Sequence, residues 1–261
     1  MNKEDKTVTN DRRNRTEANE VAFYSTIYQN EAYNKFGNKL RLKRELHSLL
    51  SLAKIKKLNK VLSIGCGDGE FERLLSPYAN QIVGVDISPE AITLAKKKQE
   101  EASIHNIEYK CESFYDLKWD QKFDVIVCLA FLHHVNEQDM PKFLKVAYDH
   151  VAPGGFFYSQ DPNIKGVLRF IGRKVLGSTY DKYHTPDERE LNPEELKAQL
   201  HEVGFSHVKI SYIDLTLIPL IYMFTKRFEW LMLLSLFTDF IWQHSPLARW
   251  SSGFAAISWK K

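Results

Sequence analysis

Between Lys60 and Glu70 the chain reads Lys-Val-Leu-Ser-Ile-Gly-Cys-Gly-Asp-Gly-Glu, and this stretch restricts the possible folds more tightly than any other. Val61 to Ile64 is a short apolar run that breaks into glycines at alternate positions, Gly65, Gly67 and Gly69. Apolar residues then return at Phe71, Leu74 and Leu75 with helical spacing. Strand, glycine turn and helix, in that order, is how an open α/β sheet brings bare backbone up to a ligand. A Cβ at Gly65 or Gly67 would stand where the ligand or the tight turn must go. Downstream, Gln81-Ile-Val-Gly-Val-Asp86 reads as a second buried strand ending in a carboxylate, placed to accept bonds from two ribose hydroxyls. These residues predict a site for a nucleoside-bearing cofactor.

Dinucleotide folds also use glycines and an acid, but their fingerprint is G-x-G-x-x-G, with the third glycine packing the helix above a pyrophosphate. Here the spacing is G-x-G-x-G, and Glu70 takes the place of that third glycine. A carboxylate there would face the pyrophosphate with like charge, which argues against a nicotinamide oxidoreductase. S-adenosylmethionine carries no phosphate, and its sulfonium and ammonium groups favour acidic neighbours such as Asp68 and Glu70. At these residues the chain resembles the class I S-adenosylmethionine-dependent methyltransferases of the type 11/12-like group, over roughly residues 40 to 210.

The resemblance extends through several motifs in order. Val61-Leu-Ser-Ile-Gly-Cys-Gly-Asp-Gly69 looks like the family's first motif, which implies that Ser63, Gly65, Cys66, Gly67 and Gly69 lie against the methionine part of the cofactor. Many members carry Asp or Glu where Ser63 stands; serine can still accept a hydrogen bond or hold a water there. Asp86 matches the ribose-binding acid, and Ile87 the apolar residue on the adenine. Cys111-Glu112-Ser113-Phe114 resembles the segment whose acid accepts the adenine amino group and whose next N–H meets a ring nitrogen. Phe123 to Val135, with Leu129 near the cofactor and the pair His133-His134, looks like the fourth strand and its trailing motif. Pro153-Gly154-Gly155 matches the turn that opens the fifth strand, and Glu194 to Phe205 the late helix before the sixth.

Periodicity gives strands at 60–64, 81–86, 107–111, 123–129, 155–160 and 206–214, with helices at 69–76, 89–102, 138–151 and 193–203. Phe254 to Trp259 forms a last strand that the resemblance makes antiparallel. Alternating strands and helices give a doubly wound, Rossmann-like, mostly parallel seven-stranded α/β sheet with helices on both faces. The division reads as a disordered polar tail at 1–20, a helical lid at 21–58, a cofactor-binding core at 59–214, an apolar helical insertion at 215–250 and the last strand at 251–261. With 261 residues the chain is long enough for a full core.

Residues 1 to 20 lack the apolar segment of a secretion signal. Three cysteines, Cys66, Cys111 and Cys128, lie on or beside strands of the cofactor half, an arrangement expected of reduced thiols in a cytoplasmic protein. Their spacing from the histidines suggests no metal site. A formal net charge of +3 is too small to argue for nucleic acid. No Asn-Pro-Pro-Tyr type of segment follows the fourth strand, and no cysteine follows a proline.

Substrate choice falls to the segments outside the cofactor core. Tyr24 and Tyr28 on the lid either touch substrate or pack the cap helix. The excursion from Ser159 to Asn192 carries Asp161, Arg169, Arg173, Lys174, Tyr180, Tyr183 and His184. It leaves the carboxyl end of the fifth strand, and Asp161 and Tyr183 are candidate substrate contacts. Leu215 to Arg249 holds two apolar blocks of about a dozen residues, too short for a bilayer core that needs ~20. A helical hairpin is expected, lying on the inner face of a membrane with Trp230 and Trp242 at headgroup depth, lining a pocket for an apolar substrate, or buried in a homodimer. His133 and His184 are the candidate bases, with Asp161 a third. The residues point to transfer of a methyl group to oxygen or nitrogen of a small-molecule, glycan or lipid-linked acceptor. The alternative is a cofactor-binding regulatory or assembly protein without transferase activity.

Overall fold

The computed structural model describes residues 21, 35–114, 120–176, 188–216 and 229–261. Apolar runs alternating with amphipathic segments produce α1 (Lys35–Ala53), β1 (Leu58–Ile64), α2 (Glu70–Leu75), β2 (Ala79–Asp86), α3 (Pro89–Glu101), β3 (Ile107–Cys111), β4 (Phe123–Leu129) and α4 (Met140–His150). These are followed by β5 (Val151–Pro162), α5 (Val167–Leu176), α6 (Pro193–Glu202), β6 (His207–Ile213), α7 (Glu229–Gln243) and β7 (Gly253–Trp259). The seven strands form one sheet in the order β3-β2-β1-β4-β5-β7-β6. β1 runs parallel to β2 and β4, and β7 is antiparallel to both β5 and β6, as expected of the last strand. Strand order reverses beside β1, between β2 and β4, and the crevice at their carboxyl ends is where such a sheet binds ligands.

Successive residues along each strand feed opposite faces. Leu62, Ile126, Phe157 and Ala256 join one buried cluster with Phe143 and Leu144 of α4, while Val61, Val125, Tyr158 and Ala255 join the other with Leu46 and Leu49 of α1. Because both faces are covered, β1 and β4 read as continuous apolar runs instead of alternating ones. Helix starts follow their caps: the Ser88 hydroxyl accepts from the Ala91 N–H at 3.2 Å ahead of Pro89, and Asn192 accepts from Glu194 at 3.1 Å ahead of Pro193.

β5 begins four residues earlier than periodicity predicts. The Pro153-Gly154-Gly155 segment is a bulge within the strand, across which pairing with β4 jumps from Phe123↔Val151 to Val125↔Phe156. Gly155 is required there, since a Cβ would lie 2.6 Å from the Asp124 carbonyl oxygen. Asp124 has a structural role at the amino end of β4, accepting from the Lys60 N–H at 2.9 Å and the Asn59 amide at 3.2 Å.

Of the expected hairpin, α7 is one arm; residues 217–228 lie outside the described set. Met232 and Leu236 of α7 pack on Leu40 of α1. Arg44 of α1 reaches Asp214 after β6 at 3.2 Å, Asp239 of α7 at 3.4 Å and its neighbour Glu45 at 3.0 Å. The N-terminal helix and the insertion are thereby locked together on the sheet.

Candidate active site

The glycine turn is built by its own backbone. Gly65, Gly67 and Gly69 have φ of 70°, 53° and 72°, a region that favours glycine. The N–H groups of Gly65 and Cys66 both donate to the Val85 carbonyl, at 2.9 and 3.1 Å, pinning the loop to β2. Space excludes side chains as well: a Cβ on Gly65 would meet the Phe131 ring at 2.3 Å, and one on Gly69 the Tyr109 hydroxyl at 2.2 Å.

Asp86, at the end of β2, is oriented by that loop. The Gly67 N–H donates to its Oδ2 at 2.8 Å and the Ser88 N–H to its Oδ1 at 2.9 Å. Each carboxylate oxygen has a second lone pair. Burial pushes the Asp86 carboxyl up, while these N–H groups and nearby His134 pull it down. Ile87, Ser113 and Leu129 are half-buried along the same edge and Glu112 is exposed, its N–H donating to the Asp86 carbonyl at 3.1 Å. Phe114 is buried, its ring 4.4 Å from that of Phe143 in the core. Burial, with Glu72 and Asp86 adding, pushes the Cys66 thiol well up, which suits a packing role and not a nucleophile.

Ser63 is buried beneath the loop, and its hydroxyl donates to Glu72 of α2 at 2.6 Å. A carboxylate from the helix thus lies against the strand at Ser63. Sequence reading missed Glu72 because it sits within an ordinary helical run. Burial pushes the Glu72 carboxyl from 4.5 up to about 7, the Ser63 hydroxyl acting the other way. An acid raised on folding contributes stability below its unfolded value and loses that contribution as pH rises through its folded one. With 1.36 kcal/mol per unit, this group is expected to cost the fold about 3 kcal/mol between pH ~4.5 and ~7. Glu72→Gln keeps an acceptor for Ser63, so urea unfolding of this variant is expected to lack that slope. An identical pH dependence in both proteins would contradict the assignment.

Other acidic groups of the turn have partners. Asp68 pairs with Lys98 of α3, and Glu70 accepts from the Asn38 amide of α1 at 2.8 Å. With Glu70 and Glu72 in its first turn, the start of α2 is unsuited to a phosphate.

Across the switch point, the turn after β4 carries His133 and His134, their ring centroids 4.0 Å apart. His133 is 6% exposed, and its Nδ1 lies 3.1 Å from Oδ1 of Asp161 at the end of β5. Asp161 is buried and also accepts from the backbone N–H of His133 at 3.1 Å, with those of Leu132 and Phe131 adding. Burial pushes the Asp161 carboxyl well up; the three N–H donors and Arg189 oppose this and match the ionised form. We assign the imidazole proton to Nδ1, directed at Asp161, which leaves Nε2 as the acceptor.

Glu188 brings a carboxylate to the same place. One donor atom from each of His133, His134 and Glu188 lies within 4.8 Å of the others, a group able to hold a divalent cation. The spacing of cysteines and histidines gave no sign of it, since Glu188 arrives from a distant segment. Arg189 was missed for the same reason; its N–H donates to the His133 carbonyl at 3.4 Å. Tyr24, Tyr28, Tyr180, Tyr183 and His184 lie outside the described residues.

A methyltransferase-domain family model matches residues 32–210. Ubiquinone biosynthesis O-methyltransferases from two strains of Coxiella burnetii are 31% and 35% identical over 157 residues, covering 59% of this chain and 66% of the relatives. The matched stretch therefore spans just under two thirds of those proteins. In Hydrogenovibrio crunogenus the protein of the same name is 25% identical over 181 residues, 65% of this chain and 71% of the relative. Among solved structures, a possible histamine N-methyltransferase from Thermotoga maritima superposes with a TM-score of 0.64 at 17% identity, covering 92% of this chain and 98% of that one. An N-methyltransferase from Bradyrhizobium japonicum, in complex with S-adenosyl-L-homocysteine, gives 0.59 at 16%, covering 91% and 98%. These two similarities concern the fold.

Proposed function

The chain belongs to the methyltransferase family, and from that membership we propose that it binds S-adenosylmethionine at the ends of β1 and β2 and methylates a hydroxyl oxygen of a small-molecule acceptor. The residues at hand fit this cofactor: a glycine cradle, a carboxylate with lone pairs to spare at Asp86, and no arrangement for a phosphate. S-adenosylmethionine supplies a methyl group that is already electrophilic, so the protein's work is alignment and proton removal. Asp86 would hold the ribose hydroxyls, and the Gly65–Gly69 backbone the methionine end.

The observation that carries the oxygen reading is the His133–Asp161 pair. A hydroxyl is a poor nucleophile at neutral pH until it loses its proton. His133 Nε2 would take that proton, and Asp161 would hold the ring in orientation and stabilise the imidazolium that results. The names of the similar curated proteins, O-methyltransferases of ubiquinone biosynthesis, support an oxygen acceptor. The free thiols of Cys66, Cys111 and Cys128 support a reducing, cytoplasmic setting.

Calorimetry with S-adenosylmethionine and radiolabelled transfer to phenols and to amines test this reading. Asp86→Ala removes charge-assisted bonds to two hydroxyls and is expected to weaken cofactor affinity about a hundredfold. Unchanged affinity would place the cofactor elsewhere. Transfer to amines but not to phenols would overturn the oxygen assignment, and tight cofactor binding with no acceptor would leave a binding protein without transferase activity.

A further inference from the structure

Helix α7 has its polarity reversed relative to water. Its inward face, Met232, Ser235, Leu236 and Asp239, carries a hydroxyl and a carboxylate, with Asp239 accepting from the N–H groups of Leu215 and Thr216 at 3.1 and 2.8 Å. Its outward face carries Trp230, Leu233, Leu234, Phe237, Phe240 and Ile241, all between 52% and 62% exposed. These positions recur at three and four residues and so form one stripe along the helix. A helix stabilised by water would show the opposite arrangement.

A second exposed apolar stripe adjoins it. Ile164, Val167, Phe170 and Ile171 are exposed at and along α5. The start of that helix is tied to the turn after α7, because the Asn163 amide donates to the carbonyls of Arg249 and Ser251 at 3.0 and 2.9 Å. Leu247 and Trp250, also exposed, lie at this junction.

The rim is basic. Lys165, Arg169, Arg173 and Lys174 accompany α5, where Glu190 is the carboxylate that Arg169 and Arg173 share. Arg249 lies over the Trp250 ring at 5.2 Å, and Lys174 over Phe170 at 4.4 Å. Such side chains lay their stems on apolar surface and raise their charge to a headgroup layer. The acids of α7 are Glu229 at its first position and Asp239, which is turned inward to Arg44.

We propose that this two-helix surface docks the protein on an anionic lipid bilayer. α7 has 15 residues, about 22 Å of helix, against the ~30 Å of a hydrocarbon core, and no described helix is long and apolar enough to cross one. It therefore lies in the interface plane with its apolar stripe immersed and Trp230 and Trp250 near headgroup level. A second copy of the chain is a poorer occupant, since a twofold contact would set one basic rim against another. Negative lipid headgroups complement that rim and the stripe together.

Vesicle flotation of the full chain tests this without cofactor or acceptor, so the result stands apart from the transfer reaction. Co-flotation with vesicles of phosphatidylcholine and phosphatidylglycerol is expected, with binding to phosphatidylcholine alone about tenfold weaker. Leu234→Ser with Phe237→Ser, both on the outward face, should lower binding to the anionic vesicles about tenfold or more while leaving the melting temperature in place. The proposal is overturned if the parent chain stays in the aqueous fraction with both vesicles, or if the double variant floats as well as the parent. It is equally overturned if light scattering shows a parent dimer that the two substitutions dissociate, since the stripe would then belong to a second copy.

Discussion

His133→Ala is expected to lower kcat for methyl transfer about 10²- to 10⁴-fold, with cofactor affinity nearly unchanged. The loss should come from chemistry because His133 sits on the β5 side of the switch point, held by Asp161, while the cofactor's sugar is assigned to Asp86 at the end of β2. Its size should depend on pH. An acceptor hydroxyl that ionises without help needs no base, so the variant's deficit is expected to shrink as pH approaches the acceptor's own pKa. Asp161→Asn should act through the same ring by losing the acceptor that fixes the Nδ1 proton, and it should lower kcat more than it raises KM. Parallel pH–rate profiles for His133→Ala and the parent protein would show that the imidazole is no base.

Arg44→Met is expected to reduce unfolding free energy by about 3–5 kcal/mol at neutral pH, the range for removing one partner from a buried ionic group. Arg44, itself half-buried, reaches Asp214, Asp239 and Glu45, all three of them buried. Burial opposes its charge, but these three carboxylates outweigh that and hold the guanidinium firmly protonated. Burial already pushes Glu45 up, and burial with Asp214 does the same to Asp239. Without the cation Glu45 and Asp239 would rise further, so stability would fall as pH increases through their folded values. The deficit measured by urea titration should therefore be smaller near pH 5 than near pH 8. Equal deficits at both would show that Met packing, not the uncompensated charge, sets the cost.

The two predictions differ in how visible their residues were in the chain. His133 was a candidate base from the first reading because the pair follows an apolar strand that ends at the ligand edge. Asp161 reads in the chain as a third candidate base and a candidate substrate contact but not as the partner of His133, for nothing local connects residues at the ends of β4 and β5. The Arg44 group was not visible at all, since its members come from α1, the end of β6 and α7.

The glycine turn was legible because its cause is local. Three glycines with positive φ, an apolar run before them and a helical pattern after them specify strand, turn and helix between Val61 and Leu75, and Asp86 ends the next such run. The mostly parallel sheet was legible too, given the alternation of strands and helices, but the order of its strands was set by tertiary pairing. The bulge in β5 was not, because the need for Gly155 arises from a carbonyl on the neighbouring strand.

By itself the sequence determined the doubly wound sheet, the glycine turn with acids beside it and the presence of an apolar block after residue 214. Periodicity and steric permission act between near neighbours, and these features need nothing else. Tertiary structure alone decided that Glu72 supplies the acid beneath Ser63, that His133 leans on Asp161 with Glu188 close by, and that α7 turns its apolar stripe outward. Burial, pairing and exposure are relations between distant segments, and they take definite values only once the sheet has brought those segments together.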